Sequence, residues 1–300
     1  MRGALTDLLR VKSQHPNIKT LLSIGGGGDA SNNFPEVVAN TDAVDRFTSS
    51  AKQLIEKYDL DGIDSRCEAQ RPSTSSNNKP VDWEHPKNLA QGRDYNNLLS
   101  ALRKALPRSL LSSALPCEED VLKNIDVCQS AQYLNFINLM AYDFSGPWTK
   151  LCGHQAQLFS PKTPYSDAAK TSCDSAVTYL LAQGVSPVNI LLGVPAYGRS
   201  FHGAQKVGDT YQGGAGDEGT FEYRDLPRQG AKVSFDDKCG ATYAVGGDAG
   251  FVSYDDPRVV SWKARYVKQK GLVGLFYWTG TGDTNDDRSL VATGWKTLRE

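Results

Sequence analysis

Four acidic residues stand close together in a stretch that reads as a broken β-strand. Asp61 and Asp64 lie in DGID, and Asp82 and Glu84 lie in VDWEHP. Alternate residues of a strand project to one face, so Asp82 and Glu84 would share a face. There, each carboxylate disfavours ionisation of the other. Because a carboxylic acid kept protonated near neutral pH is what general-acid cleavage of a glycosidic bond requires, the pattern indicates acid catalysis.

A polar segment, residues 65–80, separates the two acidic pairs. A lone pair of acids at this spacing is more often a solvated strand edge than a catalytic site. Four acids, with the apolar Leu60 before the first and Trp83 between the last two, favour catalysis, and we interpret 65–80 as an anomalous insertion in a catalytic strand. One hypothesis is an unspliced intron, because excision between permitted codons of Ser65 and Val81 can leave a single isoleucine codon.

An insertion inside a parallel strand is expected to disturb the fold. Such a strand is hydrogen-bonded on both sides, so a polar loop within it would break two ladders. The loop is tolerable only if the chain leaves and re-enters at the carboxyl end of the strand, or if one half of the motif leaves the sheet. A misplacement of about 1 Å can cost about 100-fold in rate, so we expect the insertion at 65–80 to impair catalysis.

The rest of the chain alternates apolar runs with amphipathic helices, which predicts a parallel sheet covered on both faces. The predicted strands are residues 19–24, 59–64, 110–115, 134–142, 190–197 and 272–278. The predicted helices are about 3–13, 41–58, 93–106, 118–131, 167–184, 258–270 and 289–298.

An open doubly wound sheet and a closed (β/α)8 barrel both fit this alternation. Polar and aromatic residues collect at the carboxyl ends of nearly every predicted strand. In a barrel these ends converge on one face, whereas an open sheet would concentrate ligand contacts at one switch point. We therefore predict an α/β fold with a (β/α)8 barrel built from residues 1–198 and 256–300. A barrel has eight strands and only six are predicted here, so either two more lie upstream of Met1 or the fold is a different one. Residues 199–255 are too long for an ordinary βα loop and predict a small α+β insertion before the last strand.

Composition excludes several classes of partner. The chain has 300 residues, 39% of them hydrophobic, which predicts one large domain with a substantial core. The formal net charge of −1 offers no basic surface for nucleic acid. No apolar run is long enough to span a bilayer, and residues 1–12 lack the pattern of a secretory signal.

Six cysteines allow two interpretations. The pairs Cys117–Cys128 and Cys152–Cys173 could form disulfides in an oxidising compartment, since each brackets a loop or helix. The alternative is reduced and partly buried thiols.

Five motifs resemble glycoside hydrolase family 18, and fungal chitinases most closely. They are SIGG at 23–26, the split DGID and DWE, NLMAYD at 138–143, PAYGR at 195–199 and YW at 277–278. Each motif alone is weak. Their order at predicted strand ends carries the resemblance, which extends from the first helix to the end of the chain.

The resemblance implies a retaining hydrolase of β-1,4 links between N-acetylglucosamine units, in which the substrate acetamido group is the nucleophile. Glu84 would be the general acid and base, Asp82 would orient the acetamido group, Asp64 would be its partner, and Tyr142 would hold the acetamido oxygen. The residues expected to contact sugar are Trp278, Met140, Asp143, Tyr197, Arg199, Gly25 and Gly26, with Asp61 as a structural part of the motif. Packing of Trp278 and Met140, and a loop cap at Asp143, are the ordinary alternatives.

The implied partner is chitin or an N-acetylglucosamine oligosaccharide bound by a monomer. No cofactor is needed, and the four scattered histidines do not suggest a metal site. The resemblance implies an extracellular protein, with a cytoplasmic one as the alternative. Two other functions stay open: a non-catalytic chitin-binding lectin on the same barrel, and an endo-N-acetylglucosaminidase acting on glycoprotein glycans.

Overall fold

The computed structural model describes residues 4–26, 34–38, 40–66, 86 and 88–300. Asp82 and Glu84 lie outside the described residues. The helices are α1 (Ala4–Gln14), α2 (Phe34–Val38), α3 (Thr41–Lys57), α4 (Leu89–Ala105), α5 (Glu119–Leu122), α6 (Val127–Tyr133), α7 (Cys173–Ala182), α8 (Pro257–Lys270) and α9 (Leu290–Arg299). The strands are β1 (Leu21–Gly25), β2 (Gly62–Arg66), β3 (Leu110–Leu115), β4 (Phe136–Leu139), β5 (Ile190–Pro195), β6 (Tyr197–Phe201), β7 (Thr220–Glu222), β8 (Lys232–Asp236), β9 (Ala241–Val245), β10 (Phe251–Tyr254) and β11 (Gly274–Trp278).

The chain divides into two compact units. The N-terminal unit comprises Met1–Pro116 with Asp120–Ile137, and the C-terminal unit comprises Cys117–Glu119 with Asn138–Glu300.

Parallel strands form the centre of the N-terminal unit. β2 pairs with β1 on one side and with β3 on the other. A β-carbon at Gly62 would lie 1.9 Å from the carbonyl oxygen of Leu110, so the first pair of β2 and β3 requires a glycine. The strand predicted at 110–115 is confirmed residue for residue, and the parallel pairing agrees with the predicted sheet.

The prediction of a strand over 59–64 is wrong at both ends. Asp59 has a φ of +46°, and the amide of Leu60 still bonds to the carbonyl of Ile55 in the preceding helix at 3.0 Å. β2 therefore starts only at Gly62. It then runs on through Ser65 and Arg66, which pair with Ile24 and Gly25 of β1. The first two residues of the predicted insertion are thus strand residues.

Two predicted helices are shorter than their apolar periodicity indicated. The helix predicted over 118–131 is divided into α5 and α6, because Asp126 caps a new helix by accepting a hydrogen bond from the amide of Gln129. The helix predicted over 167–184 begins only after Ser172, whose side chain forms a capping box with Ser175. No helix in the described ranges is both long and apolar enough to cross a membrane.

The C-terminal unit contains parallel and antiparallel strands. β5 and β11 are parallel neighbours. A separate five-stranded sheet has the order β7-β6-β10-β9-β8, and its described pairs are antiparallel. The strand predicted over 190–197 is therefore two strands, with β5 ending at Pro195 and β6 beginning at Tyr197. The domain boundaries at 199 and 255 stay a prediction, although the antiparallel sheet covers most of that range.

Among the described cysteines, the predicted pairs Cys117–Cys128 and Cys152–Cys173 are not formed in this structure. Cys128 is exposed, whereas Cys117, Cys152 and Cys173 are buried. Burial raises the pKa of the Cys152 and Cys173 thiols to about 11, which makes both poor nucleophiles.

Candidate active site

Asp64 lies between two serines in the middle of the N-terminal unit. It pairs in register with Ser23 of β1 and with Ser112 of β3. The Ser112 hydroxyl donates to Oδ1 of Asp64 at 2.6 Å, and the Ser23 hydroxyl donates to Oδ2 at 3.2 Å. Hydroxyls from both neighbouring strands therefore fix the orientation of this carboxylate.

Asp61 lies immediately before the first residue of β2. Its Oδ2 accepts a hydrogen bond from the amide of Thr20 at 2.8 Å, and Lys12 and Lys19 approach its two oxygens at 3.3 Å each. Burial opposes ionisation of Asp61, but the Thr20 amide and the two ammonium groups outweigh it and lower its pKa. These contacts agree with a structural position for Asp61.

Gly25 and Gly26 lie at the carboxyl end of β1. Their φ angles are +104° and +122°, a region that side chains rarely adopt, so the chain can turn there only with glycine. A role for these two residues in sugar binding stays a prediction.

A carboxylate organises the predicted residues of the C-terminal unit. Asp143 follows β4 and has a φ of +62°. Its Oδ1 accepts hydrogen bonds from the Tyr197 hydroxyl and from Nε of Arg199, and its Oδ2 accepts one from Nη2 of Arg199, each at 2.8 Å. We call Asp143, Tyr197 and Arg199 the Asp143 cluster. Three residues that lie up to 56 positions apart in sequence thus meet in one network.

Tyr197 and Arg199 keep their roles as hydrogen-bond donors across a wide pH range. Burial and the negative charge of Asp143 raise the pKa of Tyr197 well above its ordinary value, so the phenol stays a donor. Burial opposes the charge on Arg199, but the hydrogen bonds and charge of Asp143 outweigh it and raise the pKa of Arg199. The bidentate contact is of the strong, charge-assisted kind.

Aromatic rings adjoin this cluster. The Tyr142 ring contacts the rings of Tyr197 and Phe276 edge to face, with centroids 6.1 Å apart in both pairs. Phe276 and Trp278 lie two residues apart on β11, so their side chains share one face of the strand, the face on which Tyr142 packs. Trp278 is half-buried at the end of the strand, in register with Pro195.

Met140 is buried at 8% exposure, and its carbonyl accepts a hydrogen bond from the Cys117 thiol at 3.5 Å. This agrees with the packing alternative for Met140, and its contact with sugar stays a prediction.

Sequence reasoning missed Trp148 and Gly193. Trp148 is 38% exposed, and the Arg199 guanidinium lies 4.9 Å above its ring, so an open aromatic surface adjoins the Asp143 cluster. Its position in the loop after NLMAYD was the available signal. Gly193 lies beneath the Tyr142 ring: a β-carbon there would lie 2.9 Å from Cε1 of Tyr142. Only the folded structure reveals that contact.

These residue types suit a neutral polar ligand with apolar faces. Aromatic rings stack on the C–H face of a sugar, while phenol and guanidinium groups can bond to its oxygens. Within the described ranges, no group of three or more His, Cys, Asp or Glu residues could hold a metal ion.

Comparison with known proteins identifies the family. The model of Glycosyl hydrolases family 18 matches residues 3–283. The chain belongs to glycosyl hydrolase family 18. Chitinase 1 of Aphanocladium album is 31% identical over 311 residues, which cover 99% of this chain and 69% of that protein.

Solved family 18 structures agree with this assignment. Chitinase ChiA74 from Bacillus thuringiensis superimposes with a TM-score of 0.85 at 26% identity, covering 99% of this chain and 53% of that one. The chitinase-like agglutinin RobpsCRA from Robinia pseudoacacia gives a TM-score of 0.80 at 26% identity, covering 98% of this chain and 85% of that one. The chain thus spans about half of ChiA74. The predicted α/β fold of TIM-barrel class and the assignment to chitinase-like glycoside hydrolases are confirmed.

Proposed function

We propose that this family 18 chain binds chitin, or shorter N-acetylglucosamine oligosaccharides, and hydrolyses their β-1,4 links with retention of configuration. The observation that carries the proposal is the Asp143 cluster beside Tyr142, with exposed Trp148 next to it. Relatives named chitinases support the substrate class. A monomer acting outside the cell is part of the same proposal.

The proposed reaction uses two steps. In the first, the acetamido oxygen of the substrate attacks the anomeric carbon as the glycosidic bond breaks, and the leaving oxygen takes the proton of Glu84. Asp82, with Asp64 as its partner, would orient the acetamido nitrogen and stabilise the positive oxazolinium-like intermediate. Tyr142 would hold the acetamido oxygen. In the second step, water attacks the anomeric carbon and gives a proton to Glu84 while the bond between that carbon and the acetamido oxygen breaks, which restores both the acid and the acetamido group.

From the course of β2, we expect this sequence to have reduced activity. Ser65 and Arg66 fill the two ladder places that follow Asp64. Replacing residues 65–81 with one isoleucine would give DGID-I-DWEHP, in which Asp82 takes the place now held by Arg66. We call this the shortened variant. In it, Glu84 stands four positions after Asp64, which is the spacing that Glu68 has in the present sequence.

The test measures hydrolysis of a fluorogenic chitotriose glycoside and binding of chitotetraose by the chain and by the shortened variant. We expect both proteins to bind, the shortened variant to hydrolyse faster, and Glu84→Gln to abolish its hydrolysis. In the unshortened chain, Glu68→Gln is the matched control and should leave any hydrolysis unchanged. Loss of hydrolysis in Glu68→Gln alone would refute the role of Glu84, and absence of both binding and turnover in every protein would refute the proposed function.

A lectin function is the second candidate, favoured by the continuation of β2 through Ser65 and Arg66 and by the similarity to the Robinia pseudoacacia agglutinin. Equal binding of chitotetraose by the chain and the shortened variant, with no turnover by either, would support the lectin over the hydrolase.

A further inference from the structure

A glutamine outside all the predicted motifs touches both segments that carry the Asp143 cluster. Gln155 is completely buried. Its carbonyl accepts a hydrogen bond at 2.9 Å from the amide of Phe144, the residue after Asp143. Its side-chain Nε2 donates to the carbonyl of Tyr197 at 2.8 Å. One residue therefore holds the end of the β4 segment and the start of β6.

The side-chain amide also closes a gap in the antiparallel sheet. Between β6 and β10, the last paired residues at this end are Arg199 and Ser253. At this end, Nε2 of Gln155 donates to the carbonyl of Tyr197, which lies beyond that pair, and to the carbonyl of Ser253 within the pair, the second contact being 3.3 Å. The Ser253 hydroxyl in turn accepts a hydrogen bond from the backbone amide of Gln155 at 3.0 Å. The glutamine thus supplies a donor where the backbone ladder has ended.

We propose that Gln155 is a positioning residue for sugar binding, acting through the Asp143 cluster; this inference rests on the proposed function. The bond from Tyr197 to Asp143 requires that the β6 and β4 segments keep their spacing, and Gln155 contacts the backbone of both. A donor is required at Nε2, because both of its partners are carbonyl oxygens. A buried carbonyl that loses its donor would draw the segment toward another partner.

The chain offers a matched control two residues away. Gln157 is also completely buried, and its Nε2 donates to two backbone carbonyls, those of Ala169 at 3.1 Å and Thr171 at 2.6 Å. Neither partner belongs to the candidate site. Gln155→Met and Gln157→Met therefore remove the same group from similar surroundings, and a merely structural role predicts the same outcome for both.

The experiment compares these two variants in the full chain. Calorimetry gives the Kd for chitotetraose, and hydrogen exchange measured by mass spectrometry gives local protection without ligand. We expect Gln155→Met to weaken binding about tenfold or more relative to Gln157→Met and to speed exchange in peptides covering 140–148 and 195–201. Gln157→Met should speed exchange around 168–173 and leave the Kd unchanged.

Ser253→Ala provides a second variant should Gln155→Met fold poorly. It removes the hydroxyl that accepts from the backbone amide of Gln155 and keeps the side chain of Gln155. We therefore expect smaller increases in the Kd and in exchange at 140–148 and 195–201. Equal losses of affinity in Gln155→Met and Gln157→Met, or unchanged exchange at 140–148 and 195–201, would overturn the inference. If the unaltered chain fails to bind chitotetraose, the proposed function fails, while the exchange comparison still decides whether Gln155 holds these segments.

Discussion

Replacing Gly193 with alanine tests how the Tyr142 ring is held in place. A β-carbon on Gly193 would lie 2.7 Å from the carbonyl oxygen of Leu139 and 2.9 Å from Cε1 of Tyr142. Ordinary contact begins near 3.4 Å, so the end of β4 must move by about 0.7 Å. Overpacking of this kind costs about 1–3 kcal/mol in unfolding free energy. Since Tyr142 moves with that segment, we also expect kcat/KM to fall about tenfold to 100-fold.

Stability is measured by urea unfolding of the full chain, and kcat/KM by chitotriose glycoside hydrolysis in the shortened variant. Gly280→Ala is the matched control, because a β-carbon there meets no atom within 4 Å. We expect Gly280→Ala to change neither quantity appreciably. If Gly193→Ala leaves kcat/KM unchanged while lowering stability, the position of the Tyr142 ring does not matter for the reaction and the reasoning fails.

Two further predictions concern charged side chains of the C-terminal unit that are buried or half-buried. Lys263 and Asp255 form an ion pair at 2.5 Å with side chains 0% and 3% exposed, and burial raises the pKa of Asp255 to about 6 even beside Lys263. Lys263→Met should lower the free energy of unfolding in urea by about 3–5 kcal/mol, and adding Asp255→Leu should restore most of that loss. A double variant no more stable than Lys263→Met would contradict this account. The hydrogen bond from His154 lowers the pKa of Asp236 despite partial burial, so its stabilising effect is present above the unfolded pKa and is lost as pH falls through the lower folded value. Asp236→Asn should therefore flatten the acid side of a plot of Tm against pH. An unchanged slope would show that the pair of Asp236 and His154 does not contribute to the acid dependence of stability.

Local patterns predicted the elements whose ends are set by nearby residues. The strand at 110–115 was predicted with its exact bounds. By contrast, the helix predicted over 167–184 failed because Ser172 caps a new helix, a signal that apolar periodicity does not contain.

The candidate site was partly predictable for a similar reason. Motif order brought Asp143, Tyr197 and Arg199 to attention, and the structure brings these three together. Nothing in the sequence distinguishes Gln155 from Gln157, because both lie in QAQ and both are completely buried. Their difference lies only in which distant carbonyls they meet, which is a property of tertiary structure.

We expect the insertion to affect the chemistry of β2 more than its folding. The expectation that it would break the ladders is wrong for the described part of the strand, since Ser65 pairs with Ile24 and with Ser113. The carbonyl of Ser65 also accepts a hydrogen bond from the Ser113 hydroxyl at 2.8 Å, and that hydroxyl accepts one from the buried Tyr95 at 2.8 Å. Through Ser65, β2 therefore pairs with both of its neighbouring strands. The hydrogen bonds between strands are made by backbone groups, so serine can occupy the place of isoleucine in the ladder. Acid catalysis, by contrast, requires carboxylate side chains at fixed places. The shortened variant should therefore alter turnover far more than the unfolding free energy.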